Sequence, residues 1–310
     1  MPLEESYTTE QIAQILKVSK LTVYDLIKKG KLPAYRVGRQ MRVDASDLEK
    51  YKNKEKGIPL PEQTSGAVTN ANLGQSSVRS IIISGQDNSL DLLTKYIERE
   101  SAQFRPLRSY VGSLESLISM YKGEADIVST HLFDGDTGEY NIPYIRRILV
   151  SNSFIVVNLI CRNAGFYVAK GNPKNIRDFH DLLRSDVKII NREKGSGARI
   201  LLDEKLRGAG ISREQIRGYG DVETSHLGVA GVVSKQYADV GVGIEKVAHF
   251  VGLDFVPLTK ERYDLVLLKT EANHPLITAI LNILQSSNLK EELQSIGYDV
   301  SCTGKIIYEQ

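Results

Sequence analysis

The chain has 310 residues, 41% hydrophobic and 25% charged, an ordinary globular composition with length for two or three domains that each bury a core. That excludes collagen, bulk disorder and a disulfide-stapled miniprotein. The formal net charge of +2 hides an uneven distribution: residues 1–57 hold twelve Lys and Arg against eight Asp and Glu, an excess of +4, which leaves −2 for the rest. Such asymmetry suits a chain of which one end meets a polyanion. The longest apolar stretch, 148–161, is broken by Ser151, Asn152, Ser153 and Asn158 and falls short of the ~20 apolar residues of a membrane helix. The acidic start, Met1-Pro2-Leu3-Glu4-Glu5-Ser6, is not followed by an apolar run and does not read as a secretory signal. The expectation is a cytoplasmic protein with no membrane partner. Cys161 and Cys302 form no paired-cysteine motif, so both are expected as buried thiols, with neither a disulfide nor a zinc site.

Residues 9–16 place Ile12, Ala13, Ile15 and Leu16 at helical spacing, with Thr8 and Gln11 positioned for a capping box. After the break Lys17-Val18-Ser19, Ser19 caps a second helix over 20–29. Leu21, Tyr24, Leu26 and Ile27 are available for its buried side, and Gly30 is its stop. Two short helices with so tight a connection form a helix-turn-helix, whose second helix offers its first half to the major groove. Alternation over 34–37 and 40–43 around Gly38-Arg39 predicts a small hairpin, or wing, and Asp44 caps a third helix through Tyr51. From 28 to 42, Lys28, Lys29, Lys31, Arg36, Arg39 and Arg42 occur without one acid. Alone, such a run is more often a solvated face; here it lies on a helix-turn-helix.

The run "VSKLTVYDLIKKGKLPAYRVGRQMRVDASDLEKY" resembles the excisionase-type branch of the winged helix-turn-helix proteins related to MerR regulators. The resemblance covers the first 50 or so residues and implies double-stranded operator DNA as partner. It puts Ser19, Lys20, Thr22, Val23 and Lys28 of the recognition helix toward DNA, and Arg36, Arg39, Gln40 and Arg42 of the wing toward backbone or minor groove. Tyr24 is read as core. The Lys and Arg contacts would fall mostly on phosphate, giving salt-dependent affinity and register.

Residues 53–77 are rich in Pro, Gly and Ser with few apolar anchors and read as a linker. The predicted domains are therefore 1–55, a linker at 56–77, and 78–310. From 78 onward, strand-like runs at 78–84, 107–111, 127–129, 187–191 and 238–241 alternate with helix-like ones, which predicts an α/β fold with mainly parallel sheets and length enough for two lobes. Small polar residues mark the strand-to-helix transitions: Ser84 to Ser89 (with Asn88), Gly112-Ser113, Gly195-Ser196-Gly197 and Thr224-Ser225. Exposed amides at a helix start, with a dipole worth about half a positive charge, make an anion site. Ser and Gly are also the commonest caps, so a single loop says little; recurrence at four crossovers says more.

The segments "SGQDNSLDLL", "GSLESLISMYKGEADIVSTHL", "VAKGNPKNIRDFHDLL", "NREKGSGARILLDEKL", "VETSHLGVAGVVSKQYADVGVGIE" and "RYDLVLLK" resemble the periplasmic-binding-protein-like domains similar to molybdate- and tungstate-binding proteins. The resemblance implies a two-lobed type II fold whose lobes are joined by crossing strands near 166–169 and 264–268. It implies an oxyanion such as molybdate or tungstate as ligand, with no further cofactor. Ser84, Ser113, Ser196 and Thr224 would face that oxyanion with Gly243-Ile244 nearby, and His131 and Arg192 are further candidates. Asn88, Ser89, Gly112, Gly197, Arg199 and Ser225 complete the loop set. Ile244 departs from the family, standing where molybdate binders often have tyrosine, and the Gly-Ser-Gly loop beside an arginine is closer to the tungstate-selective proteins.

His131, His180, His226, His249 and His274 show no metal-ligand spacing; His131 reads equally as pocket or loop. "GVGIEKV" lacks the third glycine of a dinucleotide fingerprint, and neither a Gly-x-Ser-x-Gly elbow nor paired catalytic acids are present. The expectation is a non-enzymatic, one-component transcriptional regulator that senses an oxyanion, works as a homodimer or higher homo-oligomer, and controls oxyanion transport or molybdenum/tungsten-cofactor genes. Two alternatives stay open: a cytosolic molybdenum-cofactor biosynthesis protein, and an oxyanion-binding protein without regulatory role.

Overall fold

A computed structural model describes residues 6–28, 31–37, 40–45, 47–48, 51–52 and 78–310. The expected linker at 56–77, the Gly30 stop and the Gly38-Arg39 turn lie outside the described residues. The chain divides into two compact units, Met1–Gln75 and Ser76–Gln310. No helix among the described residues is long and apolar enough to cross a membrane.

The first unit begins with a short strand, β1 (Ser6–Thr8), followed by helices α1 (Thr9–Leu16) and α2 (Lys20–Lys28) and strands β2 (Tyr35–Val37) and β3 (Gln40–Asp44). The capping box forms as its residue types require: the Gln11 amide donates to Thr8 Oγ1 at 3.4 Å while the Thr8 amide donates to Gln11 Oε1 at 2.8 Å. Ser19 Oγ accepts the Thr22 amide at 3.1 Å and so caps α2. Strands β2 and β3 pair as the wing, with Val37 opposite Gln40, and residues 45, 47, 48, 51 and 52 are helical. β1 adds a third, unanticipated strand on the far side of β3, giving the order β1-β3-β2. The core is Ile12, Val23, Leu32, Val43 and Leu48.

That core corrects the sequence reading of α2. Val23, expected to face DNA, is fully buried, whereas Leu21 is 81% exposed and Tyr24 is also exposed. Leu26 and Ile27 pack against the core beside Val23. The buried stripe therefore runs through 23, 26 and 27, an i, i+3, i+4 set in which Leu21 and Tyr24 have no place.

The second unit carries one mixed sheet of nine strands in the order β5-β4-β6-β11-β7-β10-β8-β9, with β12 paired to β7. Its elements are β4 (Arg79–Ser84), α3 (Ser89–Glu100), β5 (Phe104–Ser109), α4 (Ser113–Tyr121), β6 (Ile127–Thr130), α5 (Ile142–Ile148), β7 (Phe154–Val168), β8 (Ile189–Arg192) and α6 (Gly197–Gly208). There follow β9 (Val222–Glu223), α7 (His226–Ser234), β10 (Val240–Ile244), α8 (Glu245–Val251), β11 (Asp254–Leu268), α9 (His274–Gln285), α10 (Ser287–Ser295) and β12 (Ile306–Glu309).

The expectation of mainly parallel sheets holds only toward the two ends, where β4 pairs in parallel with β5 and β6, and β8 with β9 and β10. In the middle the 15-residue strands β7 and β11 are antiparallel to each other and to their neighbours. β11 joins β6 through Asp264 to Leu267, and β7 joins β10 through Ala164 to Val168. Two strands of about 50 Å thus belong to both lobes, and the crossing lies between those pairings, over residues 159–163 and 260–263. The segments 166–169 and 264–268, expected as the crossings, instead belong to the sheets of the two lobes. Separate cores, one around Ile81, Leu93 and Leu265 and one around Phe166, Leu202 and Val240, confirm the two-lobed organisation. Cys161 is buried on β7, but Cys302 is only half-buried; it lies in the turn before β12, where no core closes over it.

Candidate functional site

The two lobes enclose a cleft of about 730 Å³. Four loops with no sequence proximity deliver residues to it: Asn88 before α3, Gly112 and Ser113 at the start of α4, Ser196 and Gly197 at the start of α6, and Thr224 and Ser225 before α7. His131 and Arg192 line it too. The local reason is shared. In each case a strand ends, and the following helix begins with its first amides turned to the strand's carboxyl end, where crevices of α/β sheets lie.

Four anticipated residues do not line the cleft. Ser84, the last residue of β4, turns to the opposite face, where its Oγ lies 2.9 Å from Ser116 Oγ, and the next residue, Gly85, lines the cleft instead. Ser89 is fully buried on the inner side of α3. Arg199 is engaged away from the cleft, with Nε 3.1 Å from both carboxylate oxygens of Asp203 one turn further along its helix, Nη1 donating to the Arg192 carbonyl and its guanidinium 4.2 Å from the Tyr219 ring centre. At Gly243 the space of a side chain is taken by Tyr167, whose hydroxyl oxygen would stand 2.1 Å from an added Cβ; Ile244 reaches the cleft in its place.

The hydroxyls that do line the cleft differ in what they can offer. Ser196 Oγ donates to the Glu193 carbonyl at 2.9 Å and accepts the Arg199 amide at 3.3 Å, so it acts as a helix cap. Ser113 Oγ accepts the His131 amide at 3.3 Å and Ser225 Oγ accepts the Gly228 amide at 2.9 Å, which leaves each O–H to donate to a ligand.

The floor of the cleft is a charged cluster that sequence reasoning missed. Arg162, buried in the middle of β7, donates to Asp87 and, through Nε, to Glu261 on β11, and its guanidinium lies 4.6 Å from the Tyr263 ring centre. Asp87 Oδ1 also accepts the Tyr298 hydroxyl at 2.8 Å and the Ser89 amide at 2.7 Å, while Glu261 Oε2 is 3.2 Å from His131 Nδ1. Burial would raise both carboxyls, but Arg162 and the hydrogen bonds outweigh it and hold Asp87 and Glu261 below the usual carboxylate range. Conversely, burial would lower Arg162, and its two carboxylates more than reverse that. Burial also pushes the Tyr263 hydroxyl up to about 12. One signal was visible: an arginine inside an otherwise apolar strand run demands a buried counter-charge.

Arg192 is likewise matched. Its Nε donates to Glu193 Oε2 at 2.7 Å and its Nη2 to Gln86 Oε1 at 2.7 Å. His226, the first residue of α7, lines the cleft with a buried Nδ1 that has no hydrogen-bond partner among the described residues. Burial first, then the nearby Arg192 and Arg162 guanidinium groups, hold this imidazole well below its ordinary range, so it is neutral at pH 7. The close approach of the lobes needs Gly197, because any Cβ there would lie 2.3 Å from the His131 ring.

In the first unit, Ser19, Lys20 and Thr22 are exposed at the start of α2, and Lys20 is ion-paired with Glu10 of α1. Arg42 is half-buried on β3 and donates to Ser6 Oγ at 3.0 Å, which ties β3 to β1. Arg39 and the side chains of Lys28, Arg36 and Gln40 lie outside the described residues.

Comparison with known proteins follows the same division. Residues 94–285, more than half of the chain, match the family described as a PBP superfamily domain. The chain belongs to that superfamily. Residues 6–56 match a helix-turn-helix domain, so one chain joins a DNA-binding type of domain to a PBP-like ligand-binding domain. Over 306 residues the chain is 51% identical to "Uncharacterized protein YvgK" of Bacillus subtilis (strain 168), covering 98% of both chains. Among solved structures, a putative phosphate ABC transporter substrate-binding protein with bound phosphate from Clostridium perfringens matches with a TM-score of 0.52 at 13% identity, over 71% of this chain and 99% of that one. The sulfate-binding protein SubI from Mycobacterium tuberculosis H37Rv matches with a TM-score of 0.51 at 18% identity, over 71% and 86% of the two chains. At these identities the solved structures establish the fold.

Proposed function

We propose that the protein is a cytoplasmic one-component transcriptional regulator: a homodimer that binds operator DNA through its first unit and senses an oxyanion in the cleft of its second. The observation that carries this reading is the delivery of residues from four separate helix starts to one cleft. Amides at helix starts, the hydroxyls of Ser113, Thr224 and Ser225, and neutral His226 suit an acceptor-rich anion, and they need little net positive charge to do so. Molybdate and tungstate are the anions favoured by the sequence motifs. Phosphate and sulfate join them as candidates because proteins of the same fold bind them. In this role the ligand favours one arrangement of the lobes, and closure alters operator affinity through differential binding to two conformations.

On the DNA side, exposed Ser19, Lys20 and Thr22 of α2 and the basic residues of the wing would contact the duplex, chiefly at phosphates. Lys20 would exchange its Glu10 partner for a phosphate oxygen on binding. A thermal-shift titration with molybdate, tungstate, sulfate and phosphate tests the ligand: stabilisation by one anion, diminished in Ser113→Ala, supports the reading. No shift with any of the four removes the bare inorganic anions as ligands of this cleft.

A further inference from the structure

The lobes already touch where the cleft closes. The Leu114 amide at the start of α4 donates to the Gly195 carbonyl at 3.1 Å, and Gln86 is bonded to both Arg192 and Glu193 across the gap. Even so, about 730 Å³ remain between them. A tetrahedral oxyanion has five heavy atoms and occupies on the order of 100 Å³, given that one water takes about 30 Å³ of liquid. It would fill a small part of this space. The remainder is the size of a site for an organic molecule, for which pockets run to roughly 300–1,000 Å³.

The outer walls have matching chemistry. Tyr110 comes from the first lobe, and Leu227, Val247 and Phe250 come from α7 and α8 of the second. Tyr110 is 62% exposed, Leu227 53% and Phe250 82%, although all three line a cleft rather than a random surface. Tyr110 is held in place: its hydroxyl donates to Asp91 at 3.1 Å and the Arg108 guanidinium covers its ring at 4.7 Å. Large apolar side chains kept exposed on both walls of one crevice are the usual mark of a ligand surface.

We propose that the cleft takes an aromatic oxyanion ester rather than a bare inorganic anion: the anionic head sits at the helix starts and the planar body lies between Tyr110 and the Leu227–Phe250 wall. The position of the head rests on the oxyanion reading above; the body rests on cleft volume and wall chemistry. Flat rings suit this gap, because offset stacking on Tyr and Phe adds to simple burial.

The test is calorimetry on the full chain with inorganic phosphate, molybdate and tungstate against phenyl phosphate, 4-nitrophenyl phosphate and flavin mononucleotide. At least one ester is expected to bind ten-fold or more tightly than every inorganic anion. Phe250→Ala and Leu227→Ala should each weaken that ester at least five-fold and change the inorganic anions less than two-fold. Both positions are exposed, so melting temperatures without ligand should not move. If an inorganic anion binds at least as tightly as every ester, the organic body is refuted while the oxyanion reading stands. If esters bind but Phe250→Ala and Leu227→Ala are both silent, the wall assignment is refuted. If no anion of either class binds, the oxyanion reading fails, and this proposal fails with it.

Discussion

The two units hold their positive charge in opposite ways. In the first, an excess of Lys and Arg is gathered in a short stretch of 57 residues, and Lys20 at the start of α2 is exposed and paired with exposed Glu10. In the second, Arg162 is buried between Asp87 and Glu261, and Arg192 is matched by Glu193. Exposed cations attract a polyanion over a distance set by salt, while buried, paired cations shape a site without giving it net charge. The difference teaches that the two contacts proposed for this chain would rest on different physics, exposed charge toward DNA in the first unit and hydrogen-bond geometry toward a small anion in the second.

Removing Arg162 should break this contrast most severely. Arg162→Ala leaves two buried carboxylates uncompensated and is expected to cost about 3–5 kcal/mol of stability in urea unfolding. Next comes Ser113→Ala, which deletes the hydroxyl proposed to donate to the charged ligand, an interaction of about 1.5–3 kcal/mol. Anion affinity should fall roughly 10- to 100-fold by calorimetry with the fold intact; Ser196→Ala, whose hydroxyl caps α6, should instead lower stability by about 1 kcal/mol.

On the basic side, Lys20→Ala and Arg39→Ala should leave melting nearly unchanged yet weaken operator binding. Each should flatten the dependence of log K on log salt by about 0.9 for every phosphate that the replaced side chain neutralises. An unchanged slope in both would remove the DNA assignment. The smallest effect concerns His226. Its folded value is depressed, so as the pH falls below about 6.5 the unfolded chain takes up a proton that the fold refuses, and stability declines. Wild type should therefore be less stable at pH 5.5 than at 7.5 by a margin that shrinks in His226→Gln.

Local chemistry was the legible part of this fold. Thr8 with Gln11 and Ser19 with Thr22 announce helix starts because a cap needs only residues within one turn. Each strand-to-helix loop could be read from Gly and Ser for the same reason. The side of an element that faces inward was less readable: Val23 and Tyr24 exchange roles because neighbouring residues on a helix differ by about 100° and both are apolar. Ser84 and Gly85 likewise fall on opposite faces by alternation along the chain. The charged floor was beyond local reading, since Arg162 and Glu261 meet only through the register of β7 against β11, and Asp87 joins them from a third element.

The central claim is that the cleft controls DNA binding. With an operator selected from a random duplex library, fluorescence anisotropy can follow operator affinity of the full chain as the stabilising anion is added. The account predicts at least a five-fold change in affinity for wild type and little change for Ser113→Ala at the same anion concentration. An anion that stabilises the protein at saturation yet leaves operator affinity unaltered would contradict it.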